Sequence, residues 1–317
     1  MSMFNMITIS QSVKPILFVI TGNRMEVFKN TGAMKGFYED PSEANIRKII
    51  VTDESNMDIF YNLPNTKVYP MNTETFLILD QQFFGRMIFM PNTELSNAFC
   101  KRLSSRKGSI TGNLMKVEFD SWEYMYIPAQ HPIDIIHNKI RRKGKSLVGI
   151  NIGENEHVTK KLSYTFLCNL MNYMKTRREC KFVLFGTGNN EIRSEMLRRE
   201  CHSDIIIMIG DYPIDMFAQA ISLCDCFISL NRFLLHLSLS IEQDTIGLFY
   251  RDELTDHEDT DNVLPCLSPF IIDGTCEICN DNEECSVIYE DEGYCTDKFN
   301  VKDIGSVALD IIESKDK

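Results

Sequence analysis

The residues of this sequence best suited to chemistry are a set of cysteines towards its end. Cys276 and Cys279 are separated by two residues, and Cys285 and Cys295 follow further along. A Cys-x2-Cys pair presents two thiolates to one ion, and two further thiolates complete a tetrahedral set. Cys266 is a spare or alternative ligand. The spacing predicts a structural zinc-type site with no open position for substrate; free thiols or disulfides are the alternative.

The segment around these cysteines is strongly acidic. Residues 252–317 hold 19 of the 45 acidic residues and 4 of the 33 basic ones, a local charge of −15. Residues 1–251 carry +3, so the net charge of −12 belongs to the tail. Surrounding carboxylates raise the pKa of a thiol and suppress its reactivity, which argues against a thiol oxidoreductase.

Composition excludes several classes of protein. No run reaches 18 apolar residues, so no membrane-spanning helix is expected. The chain opens without a basic region leading into an apolar stretch, which argues against a secretory signal and for a cytoplasmic protein. The acidic balance argues against general nucleic-acid binding, which rests on Lys and Arg. Six further cysteines are expected to be reduced core thiols: Cys100, Cys168, Cys180, Cys201, Cys224 and Cys226.

From residue 146 onward, apolar runs typical of buried strands alternate with amphipathic helices. The predicted strands are 146–152, 181–186, 204–210, 224–230 and 244–249. Ser163 is predicted to cap a helix, and Pro213 suits the first turn of another. The apolar face of the first helix repeats every three or four residues: Phe166, Leu167, Leu170, Met171 and Met174. This alternation predicts a doubly wound parallel sheet.

The first half of the chain points to a second α/β domain. Its predicted strands are 15–20, 48–53, 66–71 and 76–80, with a pair of strands around a turn at 108–119. A polar joint at 128–145 separates the halves, and we place the domains at 1–140 and 141–317, the second including the Cys-rich acidic segment 252–300. Two such domains imply a cleft, with ligands beyond the carboxyl ends of the strands.

Several stretches resemble glycosyltransferase family 9, the heptosyltransferase type. They are VLFGTGNNE (183–191), IIIMIGDYPIDMFAQAISLCDCFISL (205–230), ILFVITGNRMEV (16–27) and the segment from Cys295 through FNVKDIGSVALDII. The resemblance implies a GT-B fold, with two Rossmann-like domains facing a central cleft. It also implies an inverting transfer of a sugar, such as heptose, from a nucleotide sugar to a hydroxyl of a glycan or protein, without a catalytic metal.

The resemblance suggests two carboxylates as the catalytic base. Glu26 stands where the family has a catalytic Asp, and Asp80 matches an Asp that some relatives keep. Such a base takes the proton from the acceptor hydroxyl. The alternatives are a solvated acid in the first turn of a helix for Glu26 and an Asx-turn after a strand for Asp80.

The resemblance also implies a set of donor-binding residues in the second domain. They are Lys160, Gly186, Thr187, Gly210, Asn231, Arg232 and His236. Three of them have plainer readings: Lys160 in a solvated helix entry, Gly186 in an ordinary strand-to-helix turn, and His236 as a core histidine among leucines. Phe233 stands in the segment where the family has a Gly that lets backbone N–H groups approach the diphosphate. A degenerate relative, acting as a metal-stabilised binding or assembly partner, is therefore the alternative function.

The resemblance adds iron to zinc as a candidate for the ion bound at the four cysteines. Members that modify bacterial autotransporter adhesins have a comparable four-cysteine iron site, so the resemblance implies iron as well as zinc. In either case the ion would be structural. Association of the chain into a homo-oligomer stays open.

Overall fold

The structure, a computed structural model, describes residues 14–90, 94–107, 124–131, 133–142, 144–153, 162–186, 190–201, 204–230, 232–250, 264–272 and 298–316. Two compact units divide the chain, Met1–Glu118 and Phe119–Lys317. The expected domain boundary between residues 140 and 141 falls later and stays a prediction. Among the described helices, none combines the length and apolarity needed to cross a membrane.

The first unit contains a parallel sheet of four strands. They are β1 (Ile16–Ile20), β2 (Lys48–Thr52), β3 (Thr66–Pro70) and β4 (Arg86–Met90), in the spatial order β3-β2-β1-β4. Its α-helices are α1 (Arg24–Asn30), α2 (Lys35–Glu39), α3 (Thr73–Asp80) and α4 (Glu94–Lys107), with 3₁₀ helices at Thr31–Met34 and Glu54–Phe60. β1 and β2 are buried along their whole length, which agrees with the apolar run of β1 and the apolar centre of β2, Ile49–Val51.

Residues 76–80, predicted as a strand, belong to helix α3, and that prediction is wrong. The side-chain oxygen of Asn72 accepts from the backbone N–H of Thr75 at 2.8 Å and caps the helix. Leu79 is buried while Leu77 is 57% exposed, so the burial follows a helix and not a fully buried strand. A short apolar run does not distinguish the two by itself. β4, which the sequence analysis did not identify, pairs with β1 instead. The strand pair predicted at 108–119 lies outside the described residues.

The second unit contains a parallel sheet of six strands. They are β5 (Ser146–Asn151), β6 (Cys180–Gly186), β7 (Ile205–Ile209), β8 (Cys226–Leu230), β9 (Thr245–Tyr250) and β10 (Leu267–Ile272). The spatial order is β10-β9-β8-β5-β6-β7. Read from β7, this is the strand order of a doubly wound, dinucleotide-binding sheet. The five strands predicted for this half are confirmed, and β10 adds an edge strand that was not predicted.

The helices of the second unit follow the predicted pattern. They are α5 (Asp134–Lys139), α6 (Tyr164–Lys175), α7 (Glu191–Glu200), α8 (Ile214–Ser222), α9 (Phe233–Ser240) and α10 (Val301–Ser314). The Ser163 hydroxyl oxygen accepts from the backbone N–H of Phe166 at 2.9 Å, so the predicted cap of α6 is confirmed. All five residues of the predicted apolar face are buried. Pro213 lies one residue earlier than expected, at the N-cap of α8.

Helix α10 closes the second unit by packing against α6. A Cβ on Gly305 would lie 2.5 Å from the Tyr173 ring, so only glycine permits this close approach. The hydroxyl groups of Tyr173 and Ser306 are hydrogen-bonded at 2.8 Å. After the helix, Lys315 Nζ donates to the backbone oxygen of Asp225 at 2.8 Å and pairs with Asp244 at 2.7 Å. The end of the chain is thereby anchored beside β8 and β9.

Candidate functional site

The topology of the second unit selects one crevice for a ligand. The chain runs from β5 through β6 to β7 on one side, and then returns to place β8 on the other side of β5. In a doubly wound sheet, ligands bind beyond the carboxyl ends of the two strands at this reversal. Those ends are Asn151 of β5 and Leu230 of β8.

Buried polar side chains join the two strands at this crevice. Asn151 Nδ2 donates to Ser229 Oγ at 3.0 Å, and the Ser229 hydroxyl donates to the Leu230 backbone oxygen at 2.8 Å. Asn151 Oδ1 accepts from the Gly153 N–H at 3.2 Å. Buried polar groups with satisfied hydrogen bonds hold a single geometry. The floor of the crevice is therefore rigid.

Three glycines bring the loops after β5, β6 and β7 close together. A Cβ on Gly186 would lie 2.7 Å from the backbone oxygen of Gly153, so a side chain does not fit there. Gly153 and Gly210 have φ of 144° and 139°, which favours glycine. The Gly210 N–H donates to the Gly186 oxygen at 3.2 Å, and Asn190 Nδ2 donates to the Gly153 oxygen at 3.1 Å. Gly186 and Gly210 thus have a backbone-packing role, and their contact with a donor stays a prediction.

Arg193 of α7 ties both ends of the loop that follows β5. Its guanidinium donates to the backbone oxygen of Ile152 at 3.1 Å and also to that of Leu162. Arg193 is 4% exposed. A hydrogen bond donated by a charged group is stronger than one between two neutral groups. Sequence reasoning missed Arg193, because a basic residue in a charged helix gives no sign that it is buried.

Helix α9 starts directly at the crevice, after Arg232, and is buried almost throughout. Phe233 is 4% exposed and His236 is 0% exposed. The His236 Nδ1 atom is hydrogen-bonded to the Tyr124 hydroxyl, and the two rings meet edge to face with centroids 5.4 Å apart. This environment matches the core-histidine reading, because the imidazole is fully buried and its Nδ1 atom is already hydrogen-bonded. The donor role of His236 stays a prediction.

Three of the predicted donor-binding residues, Lys160, Thr187 and Asn231, lie outside the described residues. Arg232 lies inside them and is half-buried at the N-cap of α9. The structure therefore brings Gly186, Gly210 and Arg232 to the same carboxyl edge of the sheet.

The segment before α5 packs on the helices of the second unit. The Tyr126 hydroxyl and the Ala129 N–H both donate to Asp215 Oδ1, the latter at 3.1 Å. Gln219 accepts from the Ile133 N–H at 2.7 Å. Tyr126 and Tyr124 thus hold helices α8 and α9 beside the crevice.

The first unit has its own switch point, between β1 and β4. The Thr21 N–H, just after β1, donates to the Met90 oxygen at 3.3 Å. Two hydrogen bonds join the loop after β2 to the loop after β1. The Gly22 N–H donates to Asp53 Oδ2 at 3.0 Å, and Asn56 Nδ2 donates to the Gly22 oxygen at 3.0 Å. These bonds fix the start of α1.

Glu26 takes part in a capping box at the start of α1. Its backbone N–H donates to Asn23 Oδ1 at 2.9 Å, and its Oε2 accepts from the Asn23 N–H at 3.0 Å. The carboxylate is half-buried and held at the carboxyl edge of β1. The sequence reading of an acid in a first helical turn is confirmed, and the catalytic role stays a prediction.

Asp80 lies at the other end of the first unit. Helix α3 leaves the carboxyl end of β3 and returns the chain to the amino end of β4, and Asp80 is its last residue. Glu26 follows the carboxyl end of β1. Five residues of strand, roughly 17 Å, separate the two edges. The expectation that Asp80 ends a strand at the ligand edge is therefore wrong, and the structure does not bring Asp80 to Glu26.

The predicted metal ligands Cys276, Cys279, Cys285 and Cys295 lie outside the described residues. Within the described ranges, no group of three His, Cys, Asp or Glu residues is placed to hold a metal ion. Cys266 is a half-buried free thiol, and burial raises its pKa.

The six cysteines expected as reduced core thiols are all free, and five are buried, as predicted. Burial raises the pKa of Cys100, Cys201 and Cys226 to about 12 and that of Cys180 to about 11. Thiols of such high pKa are inert at neutral pH.

No protein-family model matches the sequence, and no curated protein matches it. The fold, however, is similar to that of solved glycosyltransferases. Escherichia coli ADP-heptose lipopolysaccharide heptosyltransferase II aligns with a TM-score of 0.70 and 10% identity over 96% of this chain and 100% of its own. A family 9 glycosyltransferase of Veillonella parvula gives 0.67 and 11%, over 95% and 98%.

A third solved structure is relevant to the cysteines. The dodecameric, iron-containing heptosyltransferase TibC, from enterotoxigenic E. coli and in complex with ADP-D-β-D-heptose, gives a TM-score of 0.57 and 12% identity, over 96% of this chain and 77% of its own. At such low identities, it is the TM-scores of 0.57 to 0.70 that show a common fold. With its two parallel doubly wound sheets, this chain has the GT-B-like fold of the family 9 heptosyltransferases.

Proposed function

We propose that this protein is a glycosyltransferase that transfers a sugar, in the leading case a heptose, from a nucleotide donor to a hydroxyl of a glycan or protein. The observation that carries the proposal is the switch-point crevice at Asn151 and Ser229, within a sheet of dinucleotide-binding order. The shared fold supports it, since solved structures of that fold hold ADP and ADP-heptose.

In this proposal the second unit binds the donor. The loops that begin at Gly186 and Gly210 would offer backbone N–H groups beyond these two glycines, and Thr187 and Asn231 offer polar side chains. Arg232 and Lys160 hold the diphosphate, because a guanidinium binds phosphate oxygens in pairs and an ammonium adds a point charge. His236 supports this edge from inside the protein through Tyr124.

In the first unit, Glu26 acts as the base. Its carboxylate takes the proton of the acceptor hydroxyl while the acceptor oxygen attacks the anomeric carbon. The bond from that carbon to the diphosphate breaks, and the nucleoside diphosphate leaves with the electron pair. A single displacement of this kind inverts the anomeric configuration. Positive side chains stabilise the leaving charge, so no catalytic metal is required.

The proposal includes a structural ion bound by Cys276, Cys279, Cys285 and Cys295, either iron or zinc. The Cys-x2-Cys spacing supports it, and the iron-containing TibC makes iron the ion to test first. Elemental analysis of the purified chain gives the ion and its stoichiometry. The proposed setting is the cytoplasm, and the oligomeric state is to be measured in the same preparation.

Calorimetric titration with ADP-heptose, ADP, UDP and GDP tests the donor site. We expect ADP-heptose and ADP to bind and Arg232→Gln to weaken both by about tenfold or more. Arg199→Gln, an exposed arginine on α7, is the matched control and leaves binding unchanged. If no nucleotide binds while chelation lowers the melting temperature, the protein is instead a metal-stabilised scaffold and the proposal is wrong.

A further inference from the structure

A second polar pocket lies at the amino-terminal ends of β2 and β3. Its cavity, ≈ 380 Å³, is lined by Asn45, Arg47, Leu63, Asn65, Thr66 and Lys67. Arg47 immediately precedes β2, and Lys67 is the second residue of β3. The pocket is therefore at the sheet edge opposite the first unit's switch point, away from Glu26, and it is independent of the proposed transfer reaction.

Two positive side chains line this pocket. Arg47 and Lys67 are exposed, and neither forms an ion pair within the described part of the chain. Lys67 Nζ lies 4.8 Å from the centroid of the Tyr69 ring, which leaves its donors available. The nearby acids are engaged elsewhere: Glu43 pairs with Arg86 at 2.6 Å, and Asp40 accepts from Ser42. The pocket thus has an excess of positive charge.

The wall of the pocket around Asn65 is held by hydrogen bonds. Asn65 has a left-handed φ of 53°, and its backbone oxygen accepts from the Lys48 N–H at 2.9 Å. The Thr66 hydroxyl is bonded to the Tyr38 hydroxyl at 2.7 Å and to the Pro64 oxygen at 2.9 Å. A preformed wall lowers the entropy lost when a ligand binds.

Lys48 holds the loop at residues 43–44, which leads to the other lining residues of the pocket. Its buried ammonium donates to the backbone oxygens of Glu43 at 2.7 Å and Ala44 at 2.9 Å. These bonds fix the chain that leads into Asn45 and Arg47. Both sides of the pocket are therefore positioned before any ligand arrives.

We infer that this pocket binds a phosphate group. Arg47 offers paired N–H donors that match two phosphate oxygens, Lys67 adds a point charge, and the amides of Asn45 and Asn65 add neutral donors. Leu63, 4% exposed, supplies an apolar contact beside the phosphate. A small phosphate ester and a phospholipid headgroup share this chemistry, and the experiment distinguishes them.

The test is a titration of the full chain with inorganic phosphate at constant ionic strength, in which the ³¹P line width reports binding. We expect saturable binding that the double variant Arg47→Gln/Lys67→Gln weakens by about tenfold or more. Arg47→Lys keeps the charge without the paired donors, so we expect its affinity for phosphate to lie between those of the parent chain and the double variant. The control Lys101→Gln/Arg199→Gln removes the same charge from exposed helix positions and leaves the affinity unchanged.

Vesicles containing phosphatidylglycerol form the second arm. Co-sedimentation that the pocket variant loses and the control variant keeps identifies a lipid headgroup as the source. Binding of free phosphate that the pocket variant weakens, without co-sedimentation, identifies a soluble ester. Lack of saturable phosphate binding, or equal weakening in both double variants, overturns the inference. Nucleotide binding stays intact in the pocket variant, so failure here is separate from failure of the proposed function.

Discussion

Asn151 and Ser229 are joined by a buried hydrogen bond of 3.0 Å, from the side-chain amide of one to the hydroxyl oxygen of the other. They are 78 residues apart in sequence, and they lie at the carboxyl ends of β5 and β8. The bond spans the one place in this sheet where strand order reverses. It therefore holds together the two strands that form the candidate donor crevice.

Replacing Asn151 tests this link. Asn151→Leu removes the bond to Ser229 and the acceptor for the Gly153 N–H, so we expect the free energy of unfolding to fall by about 1–3 kcal/mol. Binding of ADP should weaken as well, since the loop after β5 loses its anchor. Urea unfolding and calorimetry measure both. Asn172→Leu, at an exposed position of α6, is the control; equal effects of the two variants would contradict the role of Asn151.

Two glycines allow a matched test of close backbone approach. Gly186→Ala places a Cβ 2.7 Å from the Gly153 oxygen, whereas Gly36→Ala in α2 meets no atom within 4 Å. We expect Gly186→Ala to lower the free energy of unfolding by about 1–3 kcal/mol because the loops must separate. Gly36→Ala should raise it by up to about 1 kcal/mol through helix propensity. Thermal and urea unfolding measure both changes. An unchanged free energy of unfolding in Gly186→Ala would show that the loops are not tightly packed.

The two candidate bases give opposite expectations. Glu26→Gln keeps an acceptor for the Asn23 N–H in the capping box, so stability should change by less than about 0.5 kcal/mol. Loss of the base should lower sugar transfer by about 100-fold. Asp80→Asn, at the far edge of the sheet, should leave transfer unchanged. Single-turnover transfer rates measure this, and a loss with Asp80→Asn alone would reverse the assignment.

The buried thiol of Cys226 predicts a loss of stability in alkali. Burial raises its pKa from 9.0 to about 12. Between these values the unfolded chain releases this proton while the native chain keeps it, so the free energy of unfolding falls as pH rises. Below about pH 9 both states are protonated and the effect is absent. The slope is up to about 1.4 kcal/mol per pH unit for one group.

Urea unfolding between about pH 8 and about pH 10.5 measures that slope. Cys226→Ala removes the ionisable group and should make the decline shallower. Ser222→Ala, at an exposed position of α8, has no titratable group and should keep the parent slope. Identical slopes in all three proteins would show that Cys226 is not shielded from ionisation.

Local sequence pattern predicted most of the elements correctly. The strands of the second unit are long apolar runs between turn residues, and the buried face of α6 repeats at helical spacing after a capping serine. These features depend on residues near one another in the chain, so they are readable without the fold. The resemblance to the heptosyltransferase type, found in the same stretches, is likewise borne out as a likeness of fold.

The pattern failed where a choice depended on distant residues. Residues 76–80 are apolar enough for a strand, but residues 86–90 take the place beside β1, and Asp80 moves to the opposite edge. The hydrogen-bond partner of His236, Tyr124, lies 112 residues away in sequence, so no local pattern around His236 indicates it. The burial of Arg193 likewise depends on backbone oxygens 41 and 31 residues away in sequence.

The chain's residues alone establish that there are two regions of alternating strands and helices, and that the excess acid is confined to the cysteine-bearing tail. Which polar groups meet at the crevice depends on strand order. Parallel neighbours are joined by crossovers, so residues that touch at one edge are far apart along the chain. The bond from Asn151 to Ser229 is therefore a property of the folded sheet, and no local pattern encodes it.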